Sequence, residues 1–369
     1  MAEIVQNTLY LTTPATFVSR DHLTLQVEVP VYPADLPAEK RGRDQAADWR
    51  KVSIPIHHLE SLCAFGPVTV TPPALDLCWE HGVAVNFLSE FGYLQARMTG
   101  VADTSVTLRR AQFRAADLPA KCTVVARQII AGKIQNSRNS LLRAARESDS
   151  ADEQNRLTEA TDALARQIEE LGRWTPEQLS NAGALDQLRG AEGMAAQTYF
   201  AVFGLVLKQQ REDFSFAVRS RRPPRDLINC LLSFLYALIR HDCIAALTSV
   251  GLDPFVGFLH AERPNRPALA LDMMEEFRPW VADRLAVTLI NRKQIGPEHF
   301  RTREGGAVEF TDVGRKHVIQ AYQTRKQETM QHPLLDQQLR VGQMPFIQAR
   351  VLARHLRGDI AAYVPLVPK

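Results

Sequence analysis

The sequence predicts an α+β protein with more than one domain, in which a small β-strand-rich N-terminal domain precedes a larger all-α C-terminal domain. In the N-terminal part, apolar and polar residues alternate in several segments, which is the period of half-buried strands. From about Leu108 onward, apolar residues recur at helical spacing instead. A chain of 369 residues is also long enough for two domains. We therefore place the domains at residues 1–103 and 104–369.

Two alternating segments in the N-terminal domain predict strands. In the first, polar residues separate the apolar residues Leu23, Leu25, Val27 and Val29. In the second, Val52, Ile54 and Ile56 follow the same period. Pro55 lies in this second segment and cannot donate a backbone hydrogen bond, so we expect an edge strand there.

A short helix and a hairpin are predicted to complete the N-terminal domain. Thr71 can cap a helix whose first turn holds Pro72 and Pro73, and Gly82 is a typical helix stop. Residues 83–88 and 93–98 then form two strand patterns on either side of a turn at residues 89–92.

The C-terminal domain is read as a series of helices. The helical patterns cover residues 118–134, 147–171, 185–207, 227–239, 272–289 and 312–327. A break is expected near residues 148–151. Thr175-Pro-Glu-Gln178 has the form of a capping box, and Asp226 can cap the apolar helix that follows it.

Charge and cysteine content narrow the functional classes. The chain has 44 basic and 41 acidic residues, a net charge of +3, so any nucleic-acid surface must be a local patch. The five cysteines form no CxxC pair, which favours buried free thiols over a zinc site. The start of the chain does not resemble a signal peptide. The most apolar helix is expected to meet Arg240, His241 and Asp242 before it could span a bilayer. We expect a cytoplasmic protein without a membrane span.

Candidate metal ligands concentrate in residues 257–279 and in one upstream helix. His260 ends an apolar run, and Asp272 and Glu275 follow a Pro-containing loop at what is predicted to be the start of a helix. Glu192 stands in the pattern at 185–207, next to Gly190 and Gly193. One histidine with two or three carboxylates suits Mg²⁺ or Mn²⁺. Such a metal would support phosphoryl transfer.

Each of these residues also has an ordinary structural interpretation. Glu192 could bond to an arginine on a neighbouring helix, and His260 could be a satisfied core histidine. Asp272 and Glu275 could simply be acidic residues at the positive end of a helix dipole. Glu276 is expected to be solvated or paired with Arg278.

Two basic regions are candidate DNA-binding elements. Lys133 and Arg138 lie in the first region. The second region contains Lys208, Arg211, Arg219, Arg221, Arg222 and Arg225. Arginine matches phosphate oxygens with two parallel hydrogen bonds, although solvated surface charge is the alternative interpretation.

Motifs spread through the helical domain resemble the CRISPR-associated integrase family Cas1. They are Lys133-Ile-Gln-Asn136 with Arg138, Arg189-Gly-Ala-Glu192-Gly193, Arg222-Pro-Pro-Arg-Asp226, Gly251-Leu-Asp-Pro254, Gly257-Phe-Leu-His260, and Leu271-Asp272 with Glu275-Glu-Phe-Arg-Pro279. The N-terminal domain agrees more loosely, through residues 54–56 and 87–93.

This resemblance implies a site and an activity. The metal ligands would be Glu192, His260 and Glu275, with Asp272 as a further candidate, and the metal would be Mg²⁺ or Mn²⁺. The family often has Asp where this chain has Glu275. The DNA contacts would come from Lys133, Arg138, Arg219, Arg221, Arg222 and Arg225. The implied activity is insertion of prespacer DNA into a CRISPR array by attack of a 3′-hydroxyl.

The resemblance also implies partners. The chain would form a homodimer, with dimerisation expected through the N-terminal domain, and a dimer of the small protein Cas2 would bridge two such homodimers. Two other functions remain open: a stand-alone nuclease that cuts branched DNA, and a non-catalytic DNA-binding scaffold. A serine hydrolase and a P-loop enzyme are disfavoured, because neither G-x-S-x-G nor GxxxxGK[ST] occurs.

Overall fold

The computed structural model describes residues 2–5, 8–33, 36–37, 41–59, 61–89, 94–98, 106–220 and 223–368. The chain divides into two compact units, Met1–Asp103 and Thr104–Lys369. The first unit carries strands and one α-helix, and the second is mostly helical. A strand-rich N-terminal domain followed by a helical domain is therefore confirmed.

In the part of the N-terminal unit that the structure describes, the main elements are two sheets and one α-helix. The strands are β1 (Ala2–Val5), β2 (Thr8–Leu11), β3 (Phe17–Asp21), β4 (Thr24–Val31), β5 (Asp48–Pro55), β6 (Ser61–Phe65), β7 (Thr69–Val70), β8 (Ala84–Leu88) and β9 (Leu94–Met98). Within the described residues, one sheet has the order β1-β2-β6-β8-β9 and the other β5-β4-β3-β7. Leu11, Leu25, Ile54 and Leu62 from these strands pack in one shared core.

The predicted edge strand and short helix are both present. β5 ends at Pro55 and lies at the edge of its sheet, where a missing amide hydrogen costs no ladder bond. Helix α1 (Pro72–Glu80) follows Thr71, although the Thr71 hydroxyl makes no capping hydrogen bond. Gly82 lies just after the helix at φ +70°, a left-handed conformation that favours glycine.

The expected hairpin is present as far as the structure describes it. β8 and β9 pair in antiparallel fashion, with Val85 opposite Met98. Residues 90–93 of the predicted turn lie outside the described residues.

The second unit consists of helices with two short antiparallel ribbons. The helices are α2 (Val106–Ala116), α3 (Pro119–Arg146), α4 (Ala151–Gly172), α5 (Pro176–Ser180), α6 (Ala184–Ala201), α7 (Leu227–Ser249), α8 (Ala268–Met274), α9 (Arg284–Asn291), α10 (Asp312–Gln327) and α11 (Met344–Arg357). The ribbons are β10 (Phe300–Thr302) with β11 (Val308–Phe310), and β12 (Thr329–Gln331) with β13 (Gln338–Arg340). The ribbons are too short to have a recognisable alternation in the sequence.

Three predicted helix starts are capped by side chains. The Thr175 hydroxyl accepts from the Gln178 amide at 3.3 Å, and the Gln178 side chain accepts from the Thr175 amide at 2.8 Å. Asp226 caps α7 by accepting from the Asn229 amide at 2.7 Å. Ser150 caps α4, which places the helix break within the predicted interval.

The apolar helix α7 is longer than predicted. It continues through Arg240, His241 and Asp242 to Ser249, because Asp242 is paired with Lys326 at 3.0 Å and accepts from the Tyr322 hydroxyl. By length and composition α7 could cross a membrane, but 72% of its apolar window is buried inside the protein, as in a core helix.

The prediction of one continuous helix over residues 272–289 is wrong. Helix α8 ends at Met274, a π-helical segment occupies Arg278–Asp283, and α9 begins at Arg284. Pro279 lacks an amide hydrogen, which is a local reason for the irregular backbone. The interruption includes Glu275 and Glu276, which lie in the turn that follows α8.

Candidate metal and active site

Helices α3 and α6 bring Lys133 and Glu192 together. The Lys133 side chain is only 9% exposed, and its ammonium forms a short ion pair with Oε1 of Glu192. Glu192 is half-buried, with 26% of its side chain exposed. The ordinary interpretation of Glu192 assumed an arginine partner, whereas the structure provides a lysine.

Glu275 is the buried carboxylate of the site. Its side chain is 2% exposed; Oε2 lies 2.6 Å from the Lys133 ammonium and Oε1 lies 2.9 Å from Arg278. Burial acts to raise the pKa of Glu275, but the charges of Arg278, Lys133 and His260 outweigh it and hold the pKa at about 2. Glu275 is therefore an anion throughout the neutral range, and Lys133 bridges it to Glu192.

His260 is held in one orientation by Asp272. Its Nδ1 lies 2.7 Å from Oδ1 of Asp272, and its backbone amide donates to the same oxygen at 2.9 Å. Because a carboxylate can only accept, Nδ1 carries a proton. Nε2 lies 3.9 Å from Oε1 of Glu275.

Both carboxylate oxygens of Asp272 accept hydrogen bonds inside the protein. It is 0% exposed, and its Oδ2 accepts from the amides of Phe258 at 2.6 Å and Leu259 at 3.0 Å. With the two bonds to His260, both carboxylate oxygens are occupied. Asp272 is thus positioned to orient His260 through hydrogen bonds. Its oxygens are occupied by His260 and by backbone amides, not by Lys133.

Asp272 and Glu275 were predicted to lie at the start of a helix. They lie at the end of one instead. Asp272 is in the last turn of α8, and Glu275 follows its end. Carboxylates are disfavoured at that end of a helix dipole, so helix-dipole stabilisation does not explain them. Their charges are compensated instead by the Lys133 ammonium, the Arg278 guanidinium and three backbone amides.

Glu276 is not solvated and is not paired with Arg278, so that prediction is wrong. It is 0% exposed and accepts hydrogen bonds from the Tyr363 hydroxyl and the Leu366 amide, both at 2.5 Å. Gln348 donates to it at 3.2 Å. Burial raises the pKa of Glu276 to about 7, although these hydrogen bonds oppose the shift. Glu275 and Glu276 are therefore neighbours with opposite pKa shifts.

The C-terminal segment packs against the helix that carries Lys133. Asn136 donates to the carbonyls of Glu276 at 2.8 Å and Leu366 at 2.9 Å. A Cβ on Gly132 would lie 2.5 Å from Cβ of Pro365, so this close approach requires glycine. The segment thereby connects α3 to the carboxylate-bearing turn after α8.

The six candidate DNA contacts have different environments. Arg138 donates to the carbonyl of Thr161 at 3.2 Å, and Arg219 donates to Asn229 at 2.6 Å and Ser233 at 3.1 Å. Lys133 is held by the two carboxylates, so these three side chains have partners within the chain. Arg225 is exposed, whereas Arg221 and Arg222 lie outside the described residues.

The two glycines beside Glu192 border open space. A Cβ on Gly190 or Gly193 would meet no atom within 4 Å, and Met194 next to them is 54% exposed. No described part of the chain therefore explains these glycines, and the face of α6 next to Glu192 is accessible to an external molecule.

The side chains fit a hard divalent cation, although they are not already arranged around one. Among the described residues, no group of three or more His, Cys, Asp or Glu is in position to hold a metal ion. Lys133 lies between Glu192 and Glu275, and a flexible lysine can leave that position. Two carboxylates and a histidine whose other nitrogen bonds to a carboxylate are typical metal ligands. The Lys133 ammonium lies where the two carboxylates stabilise a positive charge.

Comparisons with known proteins identify the family. The model of the family "CRISPR associated protein Cas1" matches residues 9–324. A protein from Moorella thermoacetica, "CRISPR-associated endonuclease Cas1 1", is 45% identical over 364 residues, which cover 99% of both chains. The chain belongs to the Cas1 family. The resemblance inferred from the motifs is confirmed.

Solved structures share the fold of this Cas1-family chain. One, titled "Casposase bound to integration product", has a TM-score of 0.79 at 19% identity and covers 97% of this chain and 92% of its own. Another, titled "Cas6-RT-Cas1--Cas2 complex", has a TM-score of 0.75 at 23% identity and covers 100% of this chain and 37% of its own. At these identities the likeness concerns the fold.

The sequence of this Cas1-family protein did not point to a further buried acid, Asp283. Asp283 is 2% exposed and accepts from the Tyr236 hydroxyl at 2.6 Å and the Tyr199 hydroxyl at 3.1 Å. Tyr199 lies on α6, two turns after Glu192. The Arg278 guanidinium, which binds Glu275, also lies 4.8 Å from the centre of the Tyr236 ring. Asp283 was inconspicuous because it stands in what looked like a continuous amphipathic helix.

The cysteine prediction is confirmed. All five cysteines are buried thiols that form no disulfide. Burial raises the pKa of the Cys78, Cys122 and Cys230 thiols, so thiolate chemistry is disfavoured at these positions.

Proposed function

We propose that this chain is a metal-dependent DNA integrase and endonuclease that inserts prespacer DNA into a CRISPR array. The observation that carries the proposal is that Lys133 bridges Glu192 and Glu275, while Nε2 of His260, fixed by Asp272, lies 3.9 Å from Glu275. The family supports it, and so does the fold shared with a casposase whose structure is bound to an integration product.

Glu192, Glu275 and His260 would hold Mg²⁺ or Mn²⁺. When bound, the ion would favour ionisation of an attacking hydroxyl and stabilise negative charge on the phosphate. Glu275 supplies a full negative charge because its pKa lies at about 2. Asp272 keeps Nε2 of His260 turned toward Glu275, and Arg278 pairs with Glu275. Lys133, once released from the carboxylates, provides a cation for a DNA phosphate.

The proposed reaction exchanges one phosphodiester for another. The 3′-hydroxyl oxygen of the prespacer forms a bond to phosphorus at the repeat boundary and loses its proton. The bond from that phosphorus to the 3′-oxygen of the target strand breaks, and this oxygen takes up a proton. No water and no nucleotide triphosphate is consumed, so the energy of the phosphodiester is conserved.

The partners are proposed on the same basis. The substrates would be a duplex prespacer and a CRISPR repeat, and the open face of α6 beside Gly190 and Gly193 is where DNA can approach Glu192. A Cas2 partner is supported by the shared fold with the complex that contains Cas1 and Cas2. A homodimer formed through the N-terminal domain completes the proposed assembly.

A stand-alone nuclease is the second candidate function, since curated relatives are named endonucleases. The same carboxylates and histidine would serve water as the nucleophile instead of a 3′-hydroxyl. Branched DNA would then be cut without being joined.

The test is strand transfer of a labelled prespacer into a plasmid that carries a repeat, with Mn²⁺ and with or without Cas2. Wild type is compared with Glu192→Gln, and Glu159→Gln on the exposed face of α4 is the matched control. Joined product from wild type and the control, but not from Glu192→Gln, supports the integrase. Cleavage without joining supports the nuclease. DNA binding without any response to Mn²⁺ or to chelator would leave the scaffold function instead.

A further inference from the structure

A cavity of about 340 Å³ lies in the helical unit, away from the ligands described above. Its walls come from α3, from residues 199–208 at and beyond the end of α6, from α9 and from the end of α10. The cationic residues in its lining are Arg143, Lys208, Arg284, Arg292 and Arg325, and the acidic ones are Glu147, Asp283 and Glu328. The lining therefore has an excess of positive charge.

The acidic groups in this lining are already engaged. Glu147 binds Arg143 at 2.7 Å, and Glu328 forms a short ion pair with Arg325. Asp283 accepts from two tyrosine hydroxyls, as described above. Five cationic and three acidic side chains line the cavity, so positive charge remains in excess even though each acid has a partner.

Lys208, Arg284 and Arg292 remain without a side-chain ion pair among the described residues. Partial burial lowers the pKa of Arg284, the nearby charges of Arg143 and Arg325 lower it further, and those of Glu328 and Glu147 oppose the shift. Arg284 and Arg292 are exposed and line the cavity. The excess positive charge of the lining is therefore accessible to a negatively charged ligand.

The shape and the donor types indicate the class of anion. Guanidinium groups bind phosphate with paired hydrogen bonds. Val206, Leu285 and Val287 give the same cavity an apolar wall. A volume of about 340 Å³ is in the range that accommodates a small organic ligand, more than a bare inorganic anion requires. We propose that this cavity binds the phosphate groups of nucleotides, with Arg284 and Arg292 as the principal contacts.

The cavity is aligned with the candidate active site. Tyr199 lines it and lies seven residues after Glu192 on α6, and Ser140 lines it and lies seven residues after Lys133 on α3. Seven residues correspond to a rise of about 10 Å along a helix. That distance is about three base-pair steps of duplex DNA. A strand that reacts near Glu192 could thus place a phosphate a few nucleotides away in the cavity; this placement rests on the proposed function.

The test measures DNA binding without catalysis. Fluorescence anisotropy would follow a labelled ten-nucleotide thymidine oligonucleotide in EDTA, over a range of salt concentrations, with thymidine monophosphate as competitor. The variant is Arg284→Gln with Arg292→Gln. The matched control is Arg156→Gln with Arg166→Gln, two exposed arginines on α4 that do not line the cavity. Thermal melting checks that each variant is folded.

The double variant should bind the oligonucleotide about tenfold more weakly and lower the salt slope by about 1.4, about 0.7 for each lost phosphate contact on a single strand. The control should match the wild type. Competition by the monophosphate in the wild type alone would show that the site takes a free nucleotide, whereas an effect on the oligonucleotide alone would show that it holds a strand. Unchanged affinity, salt slope and competition in the double variant would overturn the proposal. Loss of strand transfer in the Glu192→Gln test has no bearing on this binding, so the two proposals can fail separately.

Discussion

The ammonium of Lys133 lies 2.6 Å from Oε2 of Glu275 and also pairs with Glu192, so one lysine bridges both carboxylates of the candidate site. The lysine is 9% exposed and Glu275 is 2% exposed. Two carboxylates this close would repel each other strongly in a poorly solvated environment. Lys133 therefore stabilises the site in the absence of a metal ion, and it has to move before an ion can bind both carboxylates.

The first prediction concerns Lys133→Met. The variant should lose about 2 kcal/mol of unfolding free energy without metal, because the buried Glu275 keeps Arg278 but loses its charged hydrogen-bond donor Lys133. It should bind Mn²⁺ about tenfold more tightly than wild type, equivalent to about 1.4 kcal/mol, because the competing cation is gone. Isothermal titration with Mn²⁺ in the absence of DNA measures the affinity, and urea unfolding measures the stability.

Lys326→Met is the matched control, since Lys326 is also mostly buried and pairs with a carboxylate, Asp242, at 3.0 Å. It should lower stability without changing Mn²⁺ affinity. If Lys133→Met bound Mn²⁺ no better than this control, Lys133 and the metal would not share a site.

The second prediction concerns Asp272→Asn. The amide can offer only one acceptor oxygen where the carboxylate accepts four hydrogen bonds from His260 and two further amides. The His260 ring should lose its fixed orientation, and Mn²⁺ affinity should fall about 10- to 100-fold, as for other residues that orient a ligand. Titration with Mn²⁺ is the measurement.

A double-variant comparison separates this effect from simple misfolding. If Asp272 acts through His260, Asp272→Asn should have no further effect on Mn²⁺ affinity once His260→Ala is present. An equal loss in both backgrounds would make Asp272 an independent contributor, such as a direct ligand.

The third prediction concerns the contact between α3 and the C-terminal segment. Alanine is a better helix former than glycine, yet Gly132→Ala should lower the free energy of unfolding by about 1–3 kcal/mol, because its methyl would overlap Pro365. Gly190→Ala in α6 meets nothing within 4 Å and should raise the free energy of unfolding by about 0.5–1 kcal/mol. Urea unfolding of both variants measures these changes in the free energy of unfolding. A stabilising Gly132→Ala would mean that the segment is not packed there in solution.

The sequence was sufficient to predict the order of the two domains and most helix starts, because these depend on local signals. Alternation around Val27 and the caps at Thr175 and Asp226 require only a few neighbouring residues. The candidates Glu192, His260 and Glu275 were also recognisable, but through the family resemblance more than through their local patterns.

The remaining features depend on contacts between residues far apart in the chain. Lys133 was predicted to contact DNA. Its position between two carboxylates follows only from the packing of α3 on α6. Glu276 looked like a surface acid, because its partners Tyr363 and Leu366 lie about ninety residues later in the sequence. Glu275 and Glu276 both lie in the break between α8 and α9, and an amphipathic period alone does not reveal this break.

The fourth prediction concerns Asp283 and pH. Burial raises the pKa of Asp283 to about 6 from a usual value of 3.8, and its hydrogen bonds from Tyr236 and Tyr199 and the charges of Arg219 and Arg278 offset only part of that shift. Because the folded pKa lies above the unfolded one, the protonated group favours folding at pH below about 4. This contribution is lost as the pH rises through about 6. The loss is on the order of 3 kcal/mol by pH 7, at about 1.4 kcal/mol per pKa unit.

Asp283→Asn removes this titration and keeps the shape of the side chain. Relative to wild type, its free energy of unfolding should therefore improve by up to about 3 kcal/mol between about pH 4 and pH 7. Urea unfolding at several pH values measures the difference, with the exposed Asp186→Asn as the control for loss of a carboxylate. The hydrogen bonds from Tyr236 and Tyr199 affect the absolute stability of the variant at every pH, so only the slope with pH carries the information. A difference that stayed constant, or moved in favour of wild type as the pH rose, would show that Asp283 is already ionised in the folded protein at acidic pH.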